Sequence, residues 1–230
     1  MSCRRLTHKL GLLGWLLWGI GSLAGTHPVT AWASPPPDLS QLLRGVENRY
    51  NRMKSMQAQF EQILRQGSQA ARQERGVLYL SKPGRMRWEY ENPEPKLFLT
   101  DGKRAILFLP EENRVMESAI RETDDLRAPL AFLLGRLDFD EQFGRYETSP
   151  DLKPLEAGDS VFRTFPKKMG ERIEWVRFEI GPQYEIHRIV VREIGGIETD
   201  FRFEQERANP ALAASLFQFQ PPAGAEVVRE

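Results

Sequence analysis

The stretch SKPGRMRWEY, residues 81–90, says more about the fold than any other part of the chain. It begins with a Pro-Gly turn signal, after which apolar and charged residues alternate strictly. One face of such a strand carries Met86, Trp88 and Tyr90, and the opposite face carries charged side chains. A strand with one apolar and one charged face is typical of an antiparallel sheet that covers a core on one side.

Segments with strand-like patterns occur before and after this stretch. They cover residues 56–61, 77–80, 97–100, 105–109, 161–165, 173–180, 184–194 and 197–203, and a last short strand is predicted at Phe217 and Phe219. Asp101-Gly102, between two of these segments, is the strongest short hairpin signal. Residues 145–159 favour a loop. The sequence therefore predicts a meandering antiparallel sheet.

Two helices are predicted to pack against this sheet. Apolar residues at steps of three and four, Leu43 among them, predict an amphipathic helix from about Asp38 to Lys54. A second helix, over residues 125–134 with Pro129 in its first turn, is apolar almost all round. Because such a helix must be buried on all sides, we expect it inside the concave face of the sheet. The predicted fold is mainly β (α+β): an incomplete, curved antiparallel barrel whose two helices cover a concave cavity.

The first 33 residues have the organisation of a secretory signal peptide. Arg4, Arg5 and Lys9 precede an apolar run over residues 10–24, which is shorter than the about 20 residues of a membrane-spanning helix. Ala31-Trp32-Ala33 then supplies a small-x-small cleavage site, so we predict a soluble, exported domain over residues 34–230. The sole cysteine, Cys3, lies in the positive start and not at the cleavage point, which excludes a lipid anchor there. An uncleaved membrane anchor is the alternative.

Composition excludes several classes of function. The chain has 32 basic and 32 acidic residues; loss of Arg4, Arg5 and Lys9 leaves 29 against 32, a net charge of −3. This balance argues against binding to nucleic acid, which requires a basic face. The mature chain would keep no cysteine and, of three histidines, only His187, so neither a disulfide nor the usual zinc site can form. No cofactor is expected.

Catalytic motifs are mostly missing. Ser160 lacks the second glycine of a G-x-S-x-G nucleophile turn, and neither phosphate-binding glycine motif occurs. Asp138, Asp140 and Glu141 beside two phenylalanines are interpreted as the polar face of an amphipathic segment, and His187 as a strand residue. We predict that the protein is not an enzyme. A hydrolase with an unrecognised carboxylate pair stays open, because such a pair has no sequence signature.

The residues around the opening stretch resemble a known family. Gly76-x-Leu78-x-x-x-Lys82-Pro83-x-x-Met86-x-Trp88, followed by Thr100-Asp101-Gly102-Lys103, resembles the periplasmic outer-membrane lipoprotein carrier family, LolA. The order of the amphipathic helix, the Phe60-Glu61-Gln62 strand, the Pro-led apolar helix and the ending Phe217-x-Phe219-x-Pro221-Pro222 also matches. The resemblance covers nearly the whole predicted mature chain.

This resemblance implies a fold, a task and partners. The fold would be an incomplete barrel closed by helices, and the task would be to carry triacylated lipoproteins through the periplasm as a monomer. The partners would be an inner-membrane ABC exporter and an outer-membrane receptor. A regulatory module that senses lipid or lipoprotein on the same fold is the alternative function.

The resemblance also suggests site residues. Lys82 stands where well-known members have an arginine that ties the lid closed, Met86 stands where they often have phenylalanine, and Trp88 matches their tryptophan. The acyl chains are expected in an apolar cavity lined by Leu43, Met56, Phe60, Met86, Trp88, Tyr90, Leu130, Phe132, Leu133 and Leu134. The alternatives are that these are ordinary core residues and that Lys82 is a solvated turn lysine.

Overall fold

The computed structural model describes residues 39–119, 135–148, 152–168 and 170–229. The predicted signal peptide lies outside these ranges. So does the predicted apolar helix, with Leu130, Phe132, Leu133 and Leu134. The first helix, α1 (Leu39–Arg52), agrees with its prediction from the apolar period, and a short helix α2 (Phe139–Gln142) lies near the middle of the chain.

Twelve strands of the described residues form one sheet. They are β1 (Ser55–Gln66), β2 (Arg72–Ser81), β3 (Arg85–Asn92), β4 (Lys96–Asp101), β5 (Arg104–Leu109), β6 (Arg114–Ala119), β7 (Phe143–Glu147), β8 (Ser160–Pro166), β9 (Ile173–Ile180), β10 (Ile186–Glu193), β11 (Ile197–Ala208) and β12 (Glu226–Arg229).

The sheet is open and curved, with β12 and β7 at its edges. Its strand order is β12-β6-β5-β4-β3-β2-β1-β11-β10-β9-β8-β7. Each described pair is antiparallel except β12 with β6, which is parallel. The prediction of a mainly β, incomplete antiparallel barrel is therefore confirmed.

The alternation in β3 places its two kinds of side chain on opposite faces. Met86, Trp88 and Tyr90 are buried on the concave face, in the main core cluster. The same cluster contains apolar side chains of β1, β2 and β8–β11, so the concave face carries the core. Helix α1 covers part of this face through Leu42 and Val46.

The end of the chain differs from the prediction. Residues Ala214–Phe217 form a short 3₁₀ helix, and the last strand is β12 instead of the predicted strand at Phe217 and Phe219. The alternation of these two aromatics does not reflect strand pairing. The Arg85 guanidinium lies over the Phe217 ring, 5.5 Å from the ring centroid. Phe219 packs on Phe108 of β5.

The convex face of the sheet has two parts. Over β4–β6, a second apolar cluster is covered by Phe219, Ala225 and Val227 from the end of the chain. Over β10, β11 and β1, the same face carries ion pairs, including Arg188 with Asp200 and Arg202 with Glu61. The apolar and charged faces of the predicted strands are thus both present.

Candidate functional site

An aromatic group forms the centre of the concave face. Trp88 lies edge-on to Phe60, with ring centroids 4.6 Å apart, and it also contacts Phe201 and Phe203 of β11. Tyr90 packs edge-on against Phe60 at 5.0 Å. Such aromatic pairs combine large apolar area with fixed geometry. The centre of the site is therefore an apolar aromatic platform built from β1, β3 and β11.

Six of the predicted cavity residues come together on or against this platform. All six are buried in one cluster: Leu43, Met56, Phe60, Met86, Trp88 and Tyr90. Leu43 reaches the cluster from α1, and the other five reach it from β1 and β3. The four predicted partners at residues 130–134 lie outside the described residues, so their place in the site stays a prediction.

Helix α1 roofs the platform and is held at its sides by polar contacts. The Tyr50 hydroxyl donates to Glu206 Oε2 at 2.5 Å and accepts from the backbone N–H of Ile186 at 2.8 Å. Arg49 donates to the other oxygen of the same carboxylate, at 2.5 Å from Nη2. These bonds join the helix to β11 and to the start of β10, more than 130 residues away along the chain.

Two further contacts bind α1 to the segment before β7. Asn51 exchanges two hydrogen bonds with the backbone of Leu137, each of 2.8 Å. Glu47 accepts the backbone N–H of Phe139 at 2.7 Å, which satisfies a donor of the first turn of α2. The helix therefore combines an apolar underside with a polar rim.

Lys82 completes this rim from the turn between β2 and β3. Its ammonium donates to the backbone carbonyl of Tyr50 at 2.9 Å, close to the end of α1. A cation is favourable there because carbonyl groups at the end of a helix carry partial negative charge. Burial lowers the pKa of Lys82 below its ordinary value. Beside this bond, Met53, Met56 and Leu80 help to line a pocket of about 10 Å³, room for about one water molecule.

The burial of Tyr50 also changes its acidity. Removal from water raises the pKa of the Tyr50 phenol well above its ordinary value of 10.0, and the negative charge of Glu206 adds to this effect. The phenol therefore keeps its proton through the physiological range and acts as a hydrogen-bond donor to Glu206. Sequence reasoning missed Tyr50, Asn51 and Glu206, because nothing in their local patterns points to such distant partners.

The buried carboxylates of the convex face have structural partners. Asp200 accepts two hydrogen bonds of 2.7 Å from Arg188; although its burial acts in the opposite direction, these bonds hold the pKa of Asp200 below its ordinary value. Glu179 accepts the backbone N–H groups of Leu155 and Glu156 at 2.6 and 3.1 Å. His187 is a residue of β10, as predicted, and contacts Asp159.

Metal-binding groups and membrane-spanning helices are both absent from the described residues. In residues 39–119, 135–148, 152–168 and 170–229, no group of three or more His, Cys, Asp or Glu side chains is placed to hold a metal ion. Over the same ranges, no helix has both the length and the apolar character needed to cross a membrane.

Comparison with known proteins identifies the relatives of this chain. Residues 51–220 match the family described as "Outer membrane lipoprotein carrier protein LolA". The outer-membrane lipoprotein carrier protein of Dechloromonas aromatica is 31% identical over 180 residues, which are 77% of this chain and 82% of that protein. The corresponding protein of Coxiella burnetii is 24% identical over 224 residues, 96% of this chain and 97% of that one.

Solved structures give a further comparison. A LolA superfamily protein from Nitrosomonas europaea is 10% identical, with a TM-score of 0.46 over 78% of this chain and 97% of that one. The family match covers most of the strands and the aromatic platform described above. This chain therefore belongs to the LolA family of outer-membrane lipoprotein carrier proteins.

Proposed function

We propose that this protein is a periplasmic carrier that takes up the acyl chains of lipoproteins and moves them from the inner to the outer membrane. It receives its cargo from an ABC-type exporter and delivers it to an outer-membrane receptor. The observation that carries the proposal is an apolar concave face roofed by a helix whose rim contacts are polar. The signal peptide predicted at residues 1–33 would bring the chain to this compartment.

Burial of apolar surface is sufficient to retain such a cargo. An acyl chain of about 15 methylenes gains on the order of 12 kcal/mol when it leaves water, at about 0.8 kcal/mol per methylene. A chain of this kind crosses an aqueous compartment only inside an apolar container. The aromatic platform and the underside of α1 offer that environment without any chemical step or cofactor.

Release requires that binding also has a cost. In the proposed cycle, α1 covers the platform when the site is empty and moves aside when an acyl chain enters. The hydrogen bonds of Tyr50, Asn51 and Lys82 must then be exchanged for bonds to water, which costs about 1 kcal/mol each. This cost lowers the net affinity and allows transfer to a receptor with a more apolar site.

The proposed site comprises residues of the roof and residues of the platform. Leu43 lines the roof, and Met56, Phe60, Met86, Trp88 and Tyr90 line the platform. Lys82 acts as the latch that holds α1 closed, through its bond to the Tyr50 carbonyl. The apolar segment at residues 130–134 is expected to add to the roof.

A binding experiment tests the proposal. Delipidated protein is titrated with a fluorescent peptide that carries a palmitoyl chain and, separately, with the same peptide without it. We expect saturable binding of the acylated peptide only. The variant Leu43→Glu places a charge on the underside of α1 and should weaken this binding at least tenfold.

Asn48→Glu is the matched control, because it adds the same charge to an exposed position of the same helix. It should bind as the wild type does. Circular dichroism and urea unfolding establish that both variants are folded. Absence of saturable, acyl-dependent binding by the wild type would contradict the carrier function, and equal binding by both variants would contradict the proposed roof.

A further inference from the structure

An unbroken apolar row crosses the concave face from the platform to one edge of the sheet. Six side chains from β2 to β12 lie directly opposite one another in successive strand pairs: Leu78, Trp88, Phe98, Leu107, Met116 and Val228. Neighbouring strands are about 4.8 Å apart, so the row is about 24 Å long. An extended chain of about 16 carbons is about 20 Å long, at roughly 1.3 Å per bond, and would cover most of the row.

Exposure increases along this row. Leu78, Trp88 and Phe98 are 0%, 2% and 4% exposed, whereas Met116 and Val228 are each 37% exposed. Leu107, between them, is partly buried against the main core cluster. The row therefore leads without a polar interruption from the aromatic platform to partly solvated side chains at the edge formed by β6 and β12.

Near the edge, the apolar surface is only one side chain wide. On β6, the concave-side neighbours of Met116 are Ser118 and Arg114. On β12, Glu226 lies beside Val228 and forms an ion pair with Arg114, 3.2 Å between Nε and Oε2. An exposed apolar strip of this width, with polar borders, fits a single linear hydrocarbon chain much better than the broad apolar patch of a protein partner.

We propose that Leu107, Met116 and Val228 form an access track along which an acyl chain reaches the platform over the β12 edge. This inference rests on the carrier function and adds to it the side from which the cargo comes. Met116 suits such a track, because its unbranched thioether adapts to a moving apolar partner. The occupant is one acyl chain, whose inner end contacts Phe98 and Trp88.

Paired substitutions test the track. The double variant Met116→Ser and Val228→Ser removes the apolar character of the exposed half of the row. The double variant Leu155→Ser and Ile194→Ser is the matched control, because these two apolar residues, 52% and 57% exposed, lie elsewhere on the surface. A conservative variant, Met116→Leu and Val228→Leu, keeps the track apolar.

The probe is the fluorescent palmitoyl peptide, and association is followed by stopped-flow fluorescence. We expect the serine track variant to associate at least fivefold more slowly, with the control and leucine variants close to the wild type. If the wild type binds and all variants associate alike, the track is wrong while the carrier function stands. If the wild type does not bind, both are wrong. If the wild type sediments as a dimer and the serine track variant as a monomer, a second copy of the chain covers the row, and the track is wrong.

Discussion

Lys82 connects the turn between β2 and β3 to the end of α1 with one hydrogen bond. The family resemblance implies an arginine at this place, which would offer a rigid fork of donors where lysine offers a mobile point charge. One bond from a flexible side chain makes a weak latch. Its removal should therefore change the rate at which α1 opens and leave the fold intact.

We expect Lys82→Met to speed the association of the palmitoyl peptide by roughly 2- to 10-fold, since a hydrogen bond contributes about 0.5–1.5 kcal/mol net. Lys82→Arg should associate at the wild-type rate or more slowly. Lys54→Met, which replaces an exposed lysine just after the same helix, is the control. A rate increase of equal size in that control, or none in Lys82→Met, would show that Lys82 is not a latch.

Tyr50 makes stability depend on pH at the alkaline end. Because the folded state raises the pKa of this phenol, it holds the proton more tightly than the unfolded chain does. The stability that results is fully present below the pKa of the phenol in the unfolded chain, 10.0. It is lost as pH rises through the higher pKa of the phenol in the folded state. Tyr50→Phe should lower the free energy of unfolding at pH 8, because the backbone N–H of Ile186 loses its acceptor.

The same variant should lose less stability than the wild type between pH 10 and the alkaline limit of folding. Urea unfolding at several pH values measures both effects. Tyr184→Phe serves as a control for removal of a hydroxyl from a partly buried tyrosine. An alkaline loss of stability in Tyr50→Phe as steep as in the wild type would refute the role assigned to this phenol.

At the scale of elements, the position of α1 depends on a close approach at Gly45. A Cβ atom added there would lie 2.2 Å from ring carbons of Tyr184, in the turn between β9 and β10. This contact is far shorter than van der Waals distance, so either the ring or the helix must move. A glycine in the middle of this helix is therefore a packing requirement.

We expect Gly45→Ala to destabilise the protein by about 1–3 kcal/mol, because overcrowding outweighs the helix propensity of alanine, about 1 kcal/mol. In a Tyr184→Gly background, the same substitution should become stabilising. Tyr184 has a φ of 67°, which glycine adopts without strain. A double-mutant cycle by urea unfolding measures the change of sign; an effect of the same sign in both backgrounds would contradict the steric explanation.

The elements were predictable to different degrees. The spacing of apolar residues alone predicts strand β3 and helix α1. Because this spacing also decides which face of each element is buried, it indicates the apolar side chains of the concave face as well. Strand β12 was missed, since its four residues form a strand only through parallel pairing with β6. The Tyr50–Glu206 contact joins residues 156 positions apart, and no local pattern records such a pair.

On the scale of the whole sheet, the two faces have different tasks. The concave face concentrates aromatic and aliphatic side chains at the platform. The convex face is stabilised by the end of the chain over β4–β6 and by ion pairs around Asp200. Around the aromatic platform the concave face is lined by apolar side chains, whereas charged groups such as the Arg114–Glu226 ion pair lie near the β12 edge.

The order of the strands also affects the rate of folding. Strands β1–β6 and β7–β11 are each neighbours in chain order, and the two sets meet where β1 pairs with β11. This pairing joins residues 56–66 to residues 197–208, and distant pairings of this kind fold slowly, in milliseconds to seconds. Until β11 pairs with β1, one edge of β1 stays without a partner strand beside exposed apolar side chains. Aggregation competes with folding during this interval.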